Sequence, residues 1–234
     1  MRNTEPIWTL VDEHLPRFAQ LSDAVWETPE LCFEEHRSAA AHLAELEHHG
    51  FRITRGLVGM PTALMGEAGD GGPVIAILGE FDALAGLSQE AGTAERREVS
   101  AGGSGHGCGH NMLGSASLLA ATALKDYLAA KGLAGRVRYY GCPAEEGGGA
   151  KVFMVRDGVF ADVDAAISWH PFPFTGVNRN PALANQRIDF HFTGRAAHAA
   201  VAPELGRSAL DAVELMNVGV NFLREHAPPD ARMH

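Results

Sequence analysis

The stretch His106-Gly107-Cys108-Gly109-His110 places two histidines and one of the three cysteines of the chain within five positions, separated by glycines. Cysteine and histidine side chains are metal ligands, and glycine lets the backbone turn tightly around an ion. In an extended or looping segment Cys108 and His110 point the same way, because side chains alternate with a period of two. The stretch therefore predicts part of a metal site whose remaining ligands come from elsewhere.

Ionisable residues also follow three apolar segments of the chain that read as buried strands. They are Glu80 and Asp82 after residues 73–79, Glu145 and Glu146 after residues 137–142, and His170 after residues 164–169. Open α/β sheets bind ligands at the carboxyl ends of their strands. We therefore expect these side chains to share one crevice with Cys108 and His110.

Each of these residues also has an explanation that involves no ligand. His170 can end a strand before a proline, and Asp82 can serve as a turn or cap residue. The Glu145-Glu146 pair beside three glycines can be a solvated turn. Cys108 alone can be a small buried hydrophobic residue. The metal-site interpretation depends on the joint pattern.

The joint pattern favours a catalytic site over a structural one. Cysteine, histidine and carboxylate together suit zinc or manganese, whereas structural zinc is usually closed by four cysteine or histidine ligands. One of two adjacent glutamates can coordinate the ion while the other removes a proton from water and passes it to a leaving amine. Amide hydrolysis is the reaction that this chemistry predicts.

The surrounding sequence predicts an α/β fold, a three-layer catalytic domain with a mostly parallel sheet. Helices are expected at residues 6–27, with a bend or break at Pro16, and at 36–49, 111–131 and 151–157. Strands are expected near 51–54, 62–65, 73–79, 137–142 and 164–169. Strands that alternate with helices imply a layered architecture, and the residues from 85 to 109 form a long functional loop.

The pattern changes after a proline- and asparagine-rich stretch. Residues 187–193 alternate like a strand with one wet face, and residues 207–226 form a long amphipathic helix. We therefore assign residues 1–183 to the catalytic metal-binding domain and residues 184–234 to the beginning of a smaller α+β lid or dimerisation domain, which is incomplete.

Bulk properties exclude several classes of function. The chain has 234 residues and a net charge of −10, which argues against binding to nucleic acid or to anionic membranes. No apolar run approaches the length that spans a bilayer, and residues 1–6 show no export signal. Three scattered cysteines form no disulfide framework, so a reducing, cytoplasmic location is expected.

Several motifs resemble the aminoacylase/carboxypeptidase-type dinuclear metallopeptidases, a family of amidohydrolases. These are residues 79–84 (GEFDAL), 107–111 (GCGHN), 143–146 (PAEE), 169–171 (WHP) and 206–211 (GRSALD). The resemblance covers essentially the whole chain. It implies two divalent ions, manganese or zinc, and hydrolysis of N-acyl or N-aroyl amino acids such as p-aminobenzoyl-glutamate. It also implies a homodimer, or a heterodimer with a related subunit.

The resemblance also assigns roles to individual residues. It implies that the metal ligands are Cys108, His110, Glu146 and His170. It implies that Glu145 is the general base and that Asp82 orients this machinery. His198 matches a lid histidine that steadies the oxyanion, often across a dimer, although a turn histidine with no such role is the alternative.

The chain departs from the family pattern in two ways. Many members have a liganding histidine where this chain has Glu80, and family proteins are about twice as long, with a last histidine ligand that these 234 residues lack. An alternative of another class follows, a catalytically inactive, truncated remnant that binds metal or a partner subunit. A structural zinc protein is a third interpretation, which the Glu145-Glu146 pair disfavours.

Overall fold

The computed structural model describes residues 6–179 and 181–234. Residues 1–5, on which part of the expectation about export rests, lie outside the described residues. The chain divides into two compact units, Met1–Thr175 and Gly176–His234. No helix among the described residues is both long enough and apolar enough to cross a membrane.

The first unit alternates helices and strands as the sequence predicts. Its helices are α1 (Pro6–Trp26), α2 (His36–His48), α3 (His110–Lys131) and α4 (Ala150–Arg156). Its strands are β1 (Arg52–Arg55), β2 (Leu64–Asp70), β3 (Val74–Gly79), β4 (Gly135–Gly141) and β5 (Ala165–Ile167). The α/β class is confirmed. Helix α1 runs unbroken through Pro16, so a break there is wrong; the buried residues Phe18, Leu21 and Val25 anchor the following turns to the core.

The five strands form one mixed sheet in the order β1-β2-β4-β3-β5. Strand β3 pairs in parallel with both β4 and β5, whereas β2 pairs antiparallel with both β1 and β4. The expected mostly parallel sheet is therefore only its β4-β3-β5 part. Strand β4 lies between β2 and β3, although β2 and β3 follow one another in the chain. Because β2 is antiparallel to β4 and β3 is parallel to it, β2 and β3 run in opposite directions.

Side chains of β4 alternate between two apolar layers on the two faces of the sheet. Val137 and Tyr139 pack with α1, α2 and α3 on one face, while Tyr140 packs with Met154 of α4 on the other. Burial of both faces explains the continuous apolar sequence of the central strands. The unit thus has the three layers that the sequence predicts.

The described part of the second unit contains one long helix, α5 (Ala209–Leu223), which Ser208 caps by accepting a hydrogen bond from the Asp211 N–H group. Residues 187–193 form no strand among the described residues, contrary to the sequence prediction, because a strand needs a hydrogen-bonded neighbour. The division after Thr175 lies close to the predicted domain boundary. The assignment of this unit as a lid stays a prediction.

Candidate metal centre

The carboxyl ends of the parallel strands bring most of the candidate residues together. Glu80 and Asp82 follow β3, Glu145 and Glu146 follow β4, and His170 follows β5. His110 is the first residue of α3, and Cys108 lies just before it. Because these residues follow the carboxyl ends of neighbouring parallel strands, their side chains lie at one edge of the sheet.

Two glycines permit the close approach of α3 to this edge. Gly109 has a φ of +78°, and a Cβ atom there would lie 3.0 Å from the Pro171 ring. A Cβ atom on Gly114 would lie 2.4 Å from the carbonyl oxygen of Glu80. Any larger residue at either position would therefore push apart the segments that carry the site.

Among the described residues, two groups of three potential ligands have their ligand atoms within 4.8 Å of one another. The first group is Cys108, His110 and His170, and the second is Glu80, His110 and Glu145. Both groups contain His110, which is fully buried. The structure thus brings His110 together with five neighbours when Glu146, at 3.9 Å from its Nε2 atom, is included.

Asp82 fixes the orientation of the His110 ring. The Nδ1–H group of His110 donates to Oδ1 of Asp82 at 2.9 Å and to the Asp82 carbonyl oxygen at 3.1 Å. A ring that donates from Nδ1 leaves Nε2 as the ligand atom, as in many metal-binding histidines. Oδ2 of Asp82 accepts the backbone N–H of Glu146 at 2.9 Å. Asp82 therefore holds two of the predicted ligands at once.

The Nε2 atom of His110 faces carboxylate oxygens. It lies 3.1 Å from Oε2 of Glu80 and 3.9 Å from a carboxylate oxygen of Glu145. His110 Nε2, Glu80 Oε2 and Glu146 Oε1 are buried, and none has a hydrogen-bonding partner among the described residues. Because buried acceptors that face one another are unfavourable, the arrangement calls for a cation or a proton between them. The donor set fits a divalent ion.

The charges of the site displace the pKa values of its groups. Burial lowers the pKa of His110, but the hydrogen bond and charge of Asp82 outweigh it, and the net shift is upward. Burial raises the pKa of Asp82, yet the hydrogen bonds from His110 and Glu146 bring it below its ordinary value. The upward shift of the His110 pKa favours a proton on Nε2 in the metal-free site, and a bound cation would have to displace that proton.

Cys108 and His170 form the exposed side of the centre. The Nδ1–H group of His170 donates to the Pro171 carbonyl at 2.9 Å, which leaves its Nε2 to accept from the Cys108 thiol at 3.3 Å. Burial, followed by the neighbouring carboxylate of Glu146, raises the pKa of Cys108 to about 12. The thiol is therefore protonated at neutral pH, and a bound cation would have to displace that proton.

Some predicted residues lie elsewhere. His198 belongs to the second unit, where its Nδ1 atom accepts the Ala200 N–H at 3.2 Å, and its catalytic role stays a prediction. His106 lies next to the site in sequence, but its Nε2–H group donates to the Val25 carbonyl at 3.0 Å in the core. His106 therefore belongs to the core rather than to the site.

Sequence reasoning missed two residues that contact the site. Lys151 places its ammonium group 2.5 Å from Oε1 of Glu80. Glu35 contacts the turn that carries Glu145 and Glu146. Both contacts join residues that are distant in the chain, and no motif around either residue predicts them. The unusual glutamate at position 80 was the one indication of a cationic partner such as Lys151.

The chain is similar to several known proteins. Residues 76–231 match the peptidase family M20/M25/M40. The chain is 50% identical over 234 residues to the B subunit of p-aminobenzoyl-glutamate hydrolase of Escherichia coli, covering 98% of this chain and 49% of that protein. It is 33% identical over 178 residues to the A subunit of the same hydrolase, covering 72% of this chain and 40% of that protein.

A solved structure adds a three-dimensional comparison. The YXEP protein of Bacillus subtilis, a dinuclear metal binding peptidase from the M20 family, superposes with a TM-score of 0.57 at 28% identity. The match covers 68% of this chain and 43% of that one. The chain spans about half the length of the curated relatives that it matches.

Proposed function

The chain belongs to the peptidase family M20/M25/M40, and from this premise we propose that it is the metal-binding part of an amidohydrolase. The substrate that we propose is an N-acyl or N-aroyl amino acid such as p-aminobenzoyl-glutamate, after the name of the 50% identical relative. The observation that carries the proposal is the set of buried acceptors around His110 that find no hydrogen-bonding partner among the described residues.

We propose Cys108, His110, Glu146 and His170 as ligands of two divalent ions, zinc or manganese. Thiolate and imidazole favour zinc, while carboxylates suit manganese, so the donor set is compatible with either. The dinuclear character of the YXEP protein supports the number two. Glu80, whose Oε2 atom faces His110, is a further candidate ligand in place of the family histidine.

Glu145 is the proposed general base. When bound, the ions act as Lewis acids and lower the pKa of water to about 7. Glu145 is partly exposed, and its carboxylate lies 3.9 Å from His110 Nε2. Burial and then the charge of Glu80 raise the pKa of Glu145, which makes its carboxylate a stronger base.

The proton balance of the reaction then involves Glu145 and solvent. Its carboxylate takes a proton from the attacking water as the water oxygen bonds to the amide carbon. Glu145 next donates that proton to the nitrogen as the C–N bond breaks, which releases an amine and a carboxylic acid. The acid then loses the second proton of the water to solvent and becomes a carboxylate. Asp82 holds His110 and Glu146 in place throughout.

We further propose that the chain assembles with a related chain. Two relatives are named as the B and A subunits of one hydrolase. Helix α5 leaves large apolar side chains exposed, including Leu210, Leu215 and Phe222. Exposed apolar surface of this kind is typical of interaction sites. Light scattering of the purified chain mixed with a related subunit should show a heterodimer, and separate monomers at micromolar concentration would contradict this assembly.

The test of the catalytic proposal is hydrolysis of p-aminobenzoyl-glutamate by the manganese- or zinc-loaded chain, followed as glutamate release. Glu145→Gln should lower kcat by about 10²–10⁴-fold while the bound metal is unchanged. Glu13→Gln, which makes the same change at an exposed site, should match wild type. Full activity of Glu145→Gln would exclude it as the base. Metal binding without any hydrolysis by wild type would instead support the non-catalytic alternative.

A further inference from the structure

A buried carboxylate lies behind the proposed metal centre. Glu35 is fully buried. Its Oε1 atom accepts the backbone N–H of Ala144 at 2.8 Å, and its Oε2 atom accepts the Thr62 hydroxyl at 3.0 Å. No lysine, arginine or histidine pairs with Glu35 among the described residues. Burial of a carboxyl group costs free energy unless hydrogen bonds replace those to water. The position of Glu35 therefore calls for a structural explanation.

Helix capping is not that use. Glu35 is the N-cap residue of α2, where an acidic side chain normally accepts hydrogen bonds from the first turn. Here the side chain makes no such bond. Glu30 accepts the N–H groups of Arg37 and Ser38 instead, at 2.8–3.1 Å. The Glu35 carboxyl is thus free to reach the turn after β4.

The turn that Glu35 contacts is strained and directly precedes the glutamate pair. Ala144 has a φ of +55°, in the left-handed region that residues other than glycine rarely adopt. Its carbonyl accepts the N–H groups of Gly148 at 2.9 Å and Gly149 at 2.7 Å. Its own N–H group is held by Glu35. Such a conformation persists only where its surroundings over-determine it.

The segment 30–35 contacts both sides of the site. The Glu30 carbonyl accepts the Ala83 N–H at 2.8 Å, and the Cys32 thiol lies 3.7 Å from Oδ2 of Asp82. The Phe33 ring packs against Gly148, where a Cβ atom would lie 2.4 Å from the ring. The loop between α1 and α2 therefore supports the Asp82 segment and the Ala144 turn together.

We propose that Glu35 is a positioning residue that fixes the Ala144 turn and thereby the carboxylates of Glu145 and Glu146. Asp82 holds the N–H of Glu146 on one side of Glu145, and Glu35 holds the N–H of Ala144 on the other. Glu145 thus projects from a backbone that two buried carboxylates clamp. The consequence for metal binding and hydrolysis rests on the proposed function, whereas the consequence for the turn does not.

Three variants separate this role from a general contribution to stability. Glu35→Leu removes both acceptors. Glu35→Gln keeps an oxygen for the Ala144 N–H, although its NH₂ group must then face Thr62, whose hydroxyl can accept from it. Thr62→Val is the matched control, because it removes the other hydrogen bond of the same carboxyl. If Glu35→Leu does not fold, Glu35→Asp keeps the carboxyl but withdraws it from Ala144 by one methylene group.

The primary measurement is amide hydrogen exchange in the 234-residue chain. Glu35→Leu, or Glu35→Asp in its place, should accelerate exchange at Glu146, Gly148 and Gly149 by about tenfold or more relative to the core amides of β4. Glu35→Gln and Thr62→Val should stay near wild type at these amides. Unchanged exchange in the turn, or acceleration equal to that of β4, would overturn the proposal.

Titration with Mn²⁺ gives the second readout. Glu35→Leu should weaken binding by about 10–100-fold, as loss of an outer-shell partner usually does, and Glu35→Gln should restore it. Equal affinity in the leucine variant would contradict the link to the metal ligands. If wild type binds no Mn²⁺, the proposed function fails, while hydrogen exchange still decides the role of Glu35.

Discussion

The carboxylate of Asp82 lies 2.9 Å from Nδ1 of His110, and this contact turns the opposite ring nitrogen toward Glu80, Glu145 and Glu146. A histidine oriented in this way is a ligand held ready before any ion arrives. The same carboxylate accepts the N–H of Glu146. One aspartate thus connects the end of β3 with the first turn of α3 and the turn after β4.

Replacement of Asp82 by asparagine should weaken metal binding. The asparagine oxygen can still accept from His110, but its NH₂ group would then face the Glu146 N–H, and the negative charge is lost. Affinity for Mn²⁺ should fall by about 10–100-fold in calorimetric titration. Asp12→Asn, at an exposed position of α1, is the control. Unaltered affinity in the Asp82→Asn variant would contradict the orienting role.

His106 and His110 lie four residues apart but should respond differently to replacement by glutamine. His106 is buried and bonded to the Val25 carbonyl, so His106→Gln should lower the free energy of unfolding by about 1–3 kcal/mol and change metal affinity less than about threefold. His110→Gln should abolish binding at the site. Urea denaturation in EDTA and metal titration measure the two effects. If His106→Gln abolished metal binding and His110→Gln did not, His106 rather than His110 would be the ligand.

The fold itself should lose stability in mild acid, partly because of His42. This histidine is fully buried, its Nδ1–H donates to the Ser38 carbonyl at 2.9 Å, and its ring stacks on Tyr139. Burial lowers its pKa from 6.5 to about 4. Between these values the unfolded chain binds more protons than the folded one, so stability falls as pH decreases from 6.5 to 4.

Once the pH is below 4, the lowered pKa of His42 reduces the free energy of unfolding by about 3 kcal/mol, at about 1.4 kcal/mol per pKa unit. His42→Leu should therefore flatten the dependence of the unfolding free energy on pH across this window, whatever its effect at neutral pH. His36→Leu removes an exposed histidine from the same helix and serves as the control. An equal slope in wild type and the His42→Leu variant would refute the assignment.

The sequence predicts which side chains come together wherever the signal is local. Cys108 and His110 are recognisable from their glycine-flanked spacing, and Asp82, Glu146 and His170 from their positions after apolar strands. What the sequence could not show is set by long-range pairing. Strand β4 inserts between two strands that are neighbours in the chain, and this makes the sheet mixed. No local pattern encodes that insertion.

The supporting residues were hidden for the same reason. Glu35 lies 109 positions from Ala144 in the chain, and Lys151 lies 71 positions from Glu80. In sequence, Glu35 directly precedes α2 and Lys151 lies in the short helix α4, and no motif marks either residue. Their contacts exist only once the sheet has formed. A sequence pattern can also be misleading. Residues 187–193 alternate as a strand does, but the structure, which describes all of them, has no strand there.

The central claim is that the ends of β3, β4 and β5 and the first turn of α3 hold divalent metal. The most direct test is anomalous X-ray diffraction from crystals of the chain grown with zinc. The account predicts a peak about 2.3 Å from the Cys108 sulfur and about 2.0–2.2 Å from His110 Nε2, His170 or the Glu146 carboxylate. Crystals grown with zinc that show no peak beside His110, or peaks only at exposed histidines, would contradict it.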